Sequence, residues 1–146
     1  MIGNQLIVWN ENFDTGVTEI DEQHRTLVNI INKANSRLAT DFNAAMLDEV
    51  TRDLSSYAHY HFDLEESLMK EYNYTEDQSE DSATHLREHG EFSTIVASVR
   101  EGIKAGNLIP REYLLLYLNS WLINHILYTD KRLAAFVLAR RGAIKE

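Results

Sequence analysis

The sequence predicts an all-α protein, an up-down-up-down antiparallel four-helix bundle with an extended N-terminal arm. Two observations support this fold class. Apolar residues recur at three- and four-residue spacing through most of the chain, which is the period of a helix that buries one face. The helical segments are joined by short connections and carry no strand pattern, which together indicate a bundle. With 146 residues, the chain is long enough to bury its own core, so we expect one domain over residues 1–146.

The predicted elements, in chain order, are an arm over residues 1 to about 19 and helices over about 21–40, 43–72, 82–105 and 110–141. The arm has little helical period, and its Trp9 and Phe13 are expected to pack onto the body of the bundle. The first helix carries one apolar stripe that includes His24. The stripe of the second helix is apolar until it reaches His61 and Glu65.

The third and fourth helices are bounded by residues with strong positional preferences. Gly106 is expected to end the third helix, and Pro110 suits the first turn of the fourth, where a missing N–H costs nothing. Gly142 is the expected end of the fourth helix. The polar and acidic segment 72–82, which precedes the third helix, is predicted to be a solvated loop with serine and aspartate available as N-caps.

Composition narrows the class of function. The formal net charge of -9 argues against a nucleic-acid partner, because binding a phosphate backbone needs a clustered basic face. The absence of cysteine excludes disulfides, thiolate zinc sites and iron–sulfur clusters. No stretch approaches the roughly 20 apolar residues of a membrane span, and the N-terminus lacks a signal-peptide pattern. We therefore expect a soluble, cytoplasmic protein without a membrane partner.

Five histidines and two carboxylates fall on the helix faces that should be buried: His24, His61, Glu65, His85, His89, His125 and Asp130. One such histidine alone would more often be a core residue with a single hydrogen bond than a metal ligand. However, all four predicted helices contribute, and burying seven polar groups together costs several kcal/mol for each unpaired charge. A divalent metal compensates this cost, since carboxylates and neutral imidazoles are its preferred ligands.

The spacing and number of these groups predict how they are arranged. His61 and Glu65 are four residues apart, as are His85 and His89, so each pair lies on one face of its helix. Seven protein groups are too many for one first-row metal, but they fit two metals if the carboxylates bridge. Asp130 follows five residues after the last histidine, roughly 140 degrees around a regular helix. It must reach around to the site, or the helix must contain a π-type bulge.

These motifs resemble those of the hemerythrins, in particular the single-domain bacterial members. The resemblance covers nearly the whole chain and rests on segments 16–24, 61–69, 85–89 and 121–130, which hold all seven ligand types in family order. It implies a non-heme di-iron centre (Fe2+/Fe3+) with this assignment: His85, His89 and His125 on one iron, His24 and His61 on the other, and Glu65, Asp130 and an oxo or hydroxo group bridging the two. The connection between the Glu65 helix and the His85 helix is longer than in bacterial members.

The resemblance also implies a function, reversible dioxygen binding at the five-coordinate iron for carriage, storage or sensing. The apolar side chains expected to wall the oxygen site are Leu27, Phe62, Trp121, Leu122 and Ile126. A dry wall would slow proton delivery and so favour reversible binding over oxidation of the iron. On this interpretation the protein is not an enzyme, although weak oxidase or peroxidase activity stays open, and we expect a monomer with an unidentified protein partner.

Two other classes of function are compatible with a bundle that binds metal. The first is a di-iron enzyme that acts on peroxide, nitric oxide, dioxygen or an organic substrate. Enzymes of the ferritin-like class use Glu-x-x-His repeats, which this histidine-rich set lacks. The second is a bundle with structural zinc or a pure interaction module, and seven ligands exceed a closed tetrahedral zinc site. The sequence favours dioxygen binding over both.

Overall fold

The structure is a computed structural model that describes residues 7–145. Over this range the regular structure is helical and no residue lies in a strand, which confirms the all-α prediction. The helices are α1 over Thr18–Thr40, α2 over Ala44–Glu71, α3 over Tyr74–Asp77, α4 over Ser79–Ala105, α5 over Arg111–Asn124 and α6 over Lys131–Lys145. A π-helical segment, His125–Asp130, joins α5 to α6, and a short 3-10 turn, Glu11–Phe13, precedes α1.

Four long helical units form the bundle: α1, α2, α4 and the continuous unit made of α5, the π segment and α6. Helix α1 packs against α2 and α5, α2 packs against α4, and α4 packs against the π segment. The predicted four-helix bundle is therefore confirmed. None of the described helices is both long and apolar enough to cross a membrane.

The start of α1 differs from the predicted position near residue 21. The helix begins at Thr18, because the Asp21 carboxylate in its first turn accepts hydrogen bonds from the backbone N–H and the hydroxyl of Thr15, at 2.9 and 2.7 Å. Gly16 turns the chain into the helix with φ +91, a conformation that favours glycine. The first six residues of the predicted arm lie outside the described residues. Its aromatic residues pack as expected, with Phe13 buried and Trp9 stacked on it at 5.0 Å.

Segment 72–82 is helical for most of its length, so the predicted loop conformation is wrong, although residues 75–80 are exposed to solvent as predicted. Helix α3 and the first turn of α4 occupy it, and the residue before α4, Gln78, makes no side-chain cap. The reason is the apolar environment of Tyr74, which is buried against Leu68, Met69 and other residues of a small core. The Tyr74 ring also meets Phe136 edge-on at 5.0 Å. Tyr74 therefore anchors the connection through its apolar contacts, and ion pairs of Asp77 with Arg140 and of Asp81 with Arg132 add to it.

The ends of the last helical unit also differ in detail from the prediction. Pro110 is the residue immediately before α5 rather than part of its first turn. Helix α6 continues through Gly142 to Lys145, because a single glycine weakens a helix without ending it. The predicted end of the third helix is confirmed, since Gly106 terminates α4 with φ 80.

Two apolar clusters fill the bundle. The larger one contains Leu27, Phe62 and Ile126, and the smaller one contains Ile20, Leu68 and Leu133 among others. Along three of the four helical units, the polar residues found by sequence analysis lie between residues of the larger cluster and residues of the smaller one. The bundle therefore holds a polar layer between two apolar cores.

Replacing Tyr74 with alanine is expected to lower the free energy of unfolding by about 3 kcal/mol, because it empties the centre of the smaller core. Tyr74→Phe is the matched control and should cost less than about 1 kcal/mol, since the ring stays. Burial raises the pKa of the Tyr74 hydroxyl to about 12, so this group stays neutral and the comparison holds at any ordinary pH. Urea denaturation measures both values. Equal stabilities for the alanine variant and the unchanged protein would show that Tyr74 does not anchor the connection to the bundle.

Candidate metal centre

The structure brings all seven predicted ligand residues into one buried cluster. Helix α1 supplies one of them, α2 and α4 supply two each, and the π segment supplies two. The members of this seven-residue cluster are His24, His61, Glu65, His85, His89, His125 and Asp130. None is more than 4% exposed, so water does not solvate these polar groups. The polar layer of the bundle is therefore one continuous site.

The cluster consists of two overlapping groups, each with ligand atoms within 4.8 Å of one another. The three-histidine group contains His85, His89 and His125, and the two-histidine group contains His24 and His61. Glu65 and Asp130 belong to both groups. The two carboxylates therefore lie where ligands that bridge two ions would lie.

Distances within the cluster show how the carboxylates are shared. Glu65 Oε1 lies 3.2 Å from His85 Nε2 and 3.4 Å from His61 Nε2, which belong to different groups. The oxygens of Asp130 divide in the same way, with Oδ1 at 2.9 Å from His125 Nε2 and Oδ2 at 2.7 Å from His24 Nε2. Each carboxylate thus contacts imidazoles on both sides of the site.

The π segment explains how Asp130 joins the cluster. Residues five apart diverge on a regular helix but come onto the same side where the backbone bonds run from residue i to i+5. His125 and Asp130 are the first and last residues of this segment, and both are buried. Of the two geometries that the sequence allowed, the π-type bulge is the one that occurs.

The two buried carboxylates of the cluster, Glu65 and Asp130, need positive charge beside them to stay ionised. Burial and the Asp130 carboxylate raise the pKa of Glu65, but the surrounding imidazoles outweigh both, and the net pKa is well below its usual range. Burial raises the pKa of Asp130 too, and His125 reverses that effect and holds it well below the usual range. Burial lowers the pKa of His85, yet Glu65 and Asp130 raise it to about 9. Ionised carboxylates here are compensated by protonated imidazoles, or by a cation among neutral ones.

Three further side chains accept hydrogen bonds from the outward-facing ring nitrogens of the cluster. The Nδ1 atoms of His61, His89 and His125 lie 2.7, 3.0 and 2.7 Å from Gln23 Oε1, Glu66 Oε2 and Glu88 Oε1, respectively. We call Gln23, Glu66 and Glu88 the outer acceptors. An acceptor at Nδ1 places the proton there and leaves Nε2 free to bind a metal. The Nε2 atoms of these three rings face the cluster.

Sequence analysis did not identify the outer acceptors. Gln23 and Glu66 each neighbour a cluster residue, His24 and Glu65, but in both cases the acceptor serves a ring on a different helix. Glu88 lies on α4 and contacts His125 of the π segment, 37 residues away. A pairing between helices leaves no periodic signal in one sequence, so only the fold reveals it.

The residues predicted to wall the oxygen site belong to the larger apolar core or pack against it. Four of them are buried members of the larger core: Leu27, Phe62, Leu122 and Ile126. Trp121 is partly buried and stacks on the His125 ring at 4.5 Å with a 12° tilt. Phe62 stacks on His89 at 3.9 Å with a 14° tilt. The three-histidine group is therefore covered by aromatic rings on the side of the larger core.

Comparison with known proteins supports a metal-binding role for the cluster. Residues 15–137 match the family model of the hemerythrin HHE cation binding domain. The chain belongs to the hemerythrin family. It is 34% identical over 134 residues to a bacteriohemerythrin of Stenotrophomonas maltophilia, covering 92% of this chain and 83% of that relative. It is 33% identical over 140 residues to a bacteriohemerythrin of Pseudomonas aeruginosa, covering 96% and 85%.

A solved hemerythrin structure shares the fold. The wild-type crystal structure superposes with a TM-score of 0.79 at 27% sequence identity, covering 91% of this chain and 98% of the hemerythrin chain. The predicted resemblance to bacterial hemerythrins is thus confirmed by sequence and by structure.

Buried atoms without hydrogen bonds show that the cluster fits the cation that the hemerythrin model names. Among the described residues, Glu65 Oε2, Asp130 Oδ1, His61 Nε2 and His125 Nε2 are buried and accept or donate no hydrogen bond. His125 Nε2 and Asp130 Oδ1 are close, at 2.9 Å, but lack the alignment of a hydrogen bond. Such atoms are costly in a core unless a partner satisfies them. Oxygen and imidazole donors around one centre suit a transition metal, so the cluster can hold metal.

Proposed function

We propose that this hemerythrin binds dioxygen reversibly at a non-heme di-iron centre held by the seven-residue cluster. The observation that carries the proposal is the division of the cluster into two groups that share Glu65 and Asp130. One metal would lack enough coordination positions for seven ligands, whereas two metals use all of them. Membership of the hemerythrin family supports a di-iron oxygen-binding role rather than an enzymatic one.

The two groups give the centre an open side. His85, His89 and His125 would hold one metal and His24 and His61 the other, with Glu65 and Asp130 shared, so the two-histidine group offers one protein ligand fewer. The unfilled position is where an exogenous ligand would bind, on the side of His24 and His61. When bound, the two irons supply the electrons that dioxygen takes up reversibly. The carboxylates balance the charge of the metals, and the imidazoles fix their positions.

Apolar residues around the cluster would keep the binding reversible. Leu122, Ile126 and Phe62 are each at most 4% exposed, so they exclude water from the side of the site that they cover. A dry wall offers no proton donor, and it would thereby protect the site from side reactions that need water or a proton. Carriage, storage and sensing of oxygen all use this chemistry. We further propose that the protein is a monomer in the cytoplasm.

Metal content and an optical spectrum test the proposed function directly. The reduced protein is prepared without air, its iron is counted, and its spectrum is recorded before air is admitted, after it, and after oxygen is removed. The expected result is two irons per chain and a new visible band that appears with oxygen and disappears without it. One ion per chain, or zinc in place of iron, would overturn the di-iron assignment. Two irons with a rapid, irreversible change would indicate an oxidase instead.

Replacing Leu122 with alanine is expected to shorten the lifetime of the oxygenated protein by at least about tenfold, equivalent to about 1.4 kcal/mol of the barrier. The smaller side chain opens the wall to water, and water brings the proton that the native wall excludes. The decay of the visible band in air measures the rate. Leu115→Ala is the matched control, since Leu115 is equally buried but belongs to the core some two turns of α5 earlier. Equal decay rates in the two variants would contradict a special role for the Leu122 wall.

A further inference from the structure

The outer acceptors differ in charge between the two groups of the cluster. Two rings of the three-histidine group donate to carboxylates, His89 to Glu66 and His125 to Glu88. In the two-histidine group, His61 donates to the neutral amide oxygen of Gln23. The remaining rings, His24 and His85, have an Nδ1 without a hydrogen-bond partner among the described residues, one in each group. The imbalance is therefore two anionic acceptors against one neutral acceptor.

An anionic acceptor makes the imidazole that it contacts a stronger metal ligand. It pulls the Nδ1 proton away from the ring, so electron density at Nε2 rises and the ring keeps its orientation. An amide fixes the orientation with a much weaker electronic effect, because a hydrogen bond to a neutral acceptor is weaker than one to a charged acceptor. The two metal positions should therefore differ in strength beyond the difference in their number of histidines.

We propose that Glu88 and Glu66 are positioning residues that make the three-histidine group the tighter metal subsite, and that neutral Gln23 keeps the two-histidine group the weaker one. The inference rests on the proposed di-iron centre. The metal at the two-histidine group, which has the open position, would bind more weakly. The metal at the three-histidine group would bind more tightly and stay bound when the first is lost. The ligands themselves are unchanged by substitutions at the outer acceptors, which separates this effect from ligand number.

Glu88 carries more of this effect than Glu66. Its side chain is 23% exposed, against 45% for Glu66, so solvent screens its charge less. Glu88 Oε1 also accepts a hydrogen bond from the Thr129 hydroxyl at 2.6 Å. Thr129 and His125 both belong to the π segment, so one carboxylate holds the segment at two points. Burial raises the pKa of Glu88, but its bonds to His125 and Thr129 outweigh this and keep the carboxylate ionised.

Release of iron to a chelator tests the inference on the whole, loaded protein. The reduced protein is mixed without air with an excess of ferrozine, and the coloured ferrous complex is followed over time. We expect two phases of equal amplitude, one for each subsite. Glu88→Gln should accelerate the slow phase about 10- to 100-fold, the usual effect of losing such a partner, and leave the fast phase unchanged. Glu66→Gln should accelerate the same phase by less.

The reciprocal substitution separates an electronic role from a structural one. Gln23→Glu places an anionic acceptor behind His61 and should slow the fast phase alone. Glu91→Gln is the control, because Glu91 lies one turn from Glu88 on α4 and its carboxylate pairs with Arg87 rather than with a histidine of the cluster. Its release should match that of the unchanged protein.

Three results would overturn the inference. A single release phase for two irons would mean that the subsites do not differ. Equal acceleration of both phases by Glu88→Gln, together with a lower melting temperature, would show a merely structural role, as would a fast phase that Gln23→Glu leaves unaltered. These results leave the di-iron proposal standing, whereas fewer than two irons in the loaded protein would remove the proposal and the inference together.

Discussion

Replacing Glu65 with glutamine is expected to remove almost all metal from the protein and with it the reversible visible band. Glu65 is one of two carboxylates that contact both groups, and its Oε1 lies 3.2 Å from His85 Nε2 and 3.4 Å from His61 Nε2. Glutamine keeps the shape of the side chain but loses the charge that a bridging ligand supplies to two cations. We expect metal affinity to fall by more than about 100-fold, the upper end of what the loss of an indirect partner costs. Elemental analysis of the purified variant measures the remaining iron.

Glu71→Gln is the matched control for this experiment. Glu71 is the last residue of α2, is exposed, and undergoes the same chemical change about 1.7 turns beyond Glu65. Its variant should retain two irons per chain, and circular dichroism should show that both variants keep their helices. A Glu65→Gln protein that retains both metals and the oxygen band would contradict a bridging role for this carboxylate.

The fold class and the cluster were accessible from sequence because both depend on local periodicity. His61 and Glu65 follow an apolar stripe on α2, so a helix that buries its stripe must also bury them. The same reasoning places His85 and His89 on the inner face of α4. Chemistry supplies the last step, since buried polar groups of these types need a cation.

Features that depend on tertiary contacts were not accessible in this way. Tyr74 makes a helix of an acidic segment because a small apolar core lies within its reach, and its neighbours in sequence give no sign of that core. From its position on α4, the sequence predicts that Glu88 is an exposed helix residue. Only the structure shows that the π segment packs against it, with His125 at hydrogen-bond distance. The position of Asp130 was undecided for a similar reason, because local spacing allows either a bulge or a long reach and only packing selects one.

Inserting one alanine between Leu127 and Tyr128 is expected to remove the metals and also to destabilise the fold. A helix turns by about 100 degrees for each added residue, so everything after the insertion is rotated away from its present partners. Asp130 would leave the cluster, in which it now lies 2.7 Å from His24. Rotation of α6 would also withdraw apolar side chains from the smaller core, among them the fully buried Leu133. We expect the free energy of unfolding to fall by about 5 kcal/mol, the high end for large core disruptions.

Deleting Tyr128 shortens the π segment by one residue, whereas the insertion lengthens it by one. We expect the deletion, unlike the insertion, to leave the metals in place. Tyr128 is 61% exposed and contributes the extra residue that the π segment accommodates. Without it, Asp130 stands four residues after His125, a spacing that a regular α-helix places on one face. The deleted chain should therefore keep its carboxylate in the cluster and retain both irons, while the inserted chain loses them. Iron content and thermal unfolding, measured for the deletion variant and the insertion variant, show whether each one keeps its metals and its fold. If the deletion loses metal as completely as the insertion, then the π geometry itself, and not the face it presents, is what the centre requires.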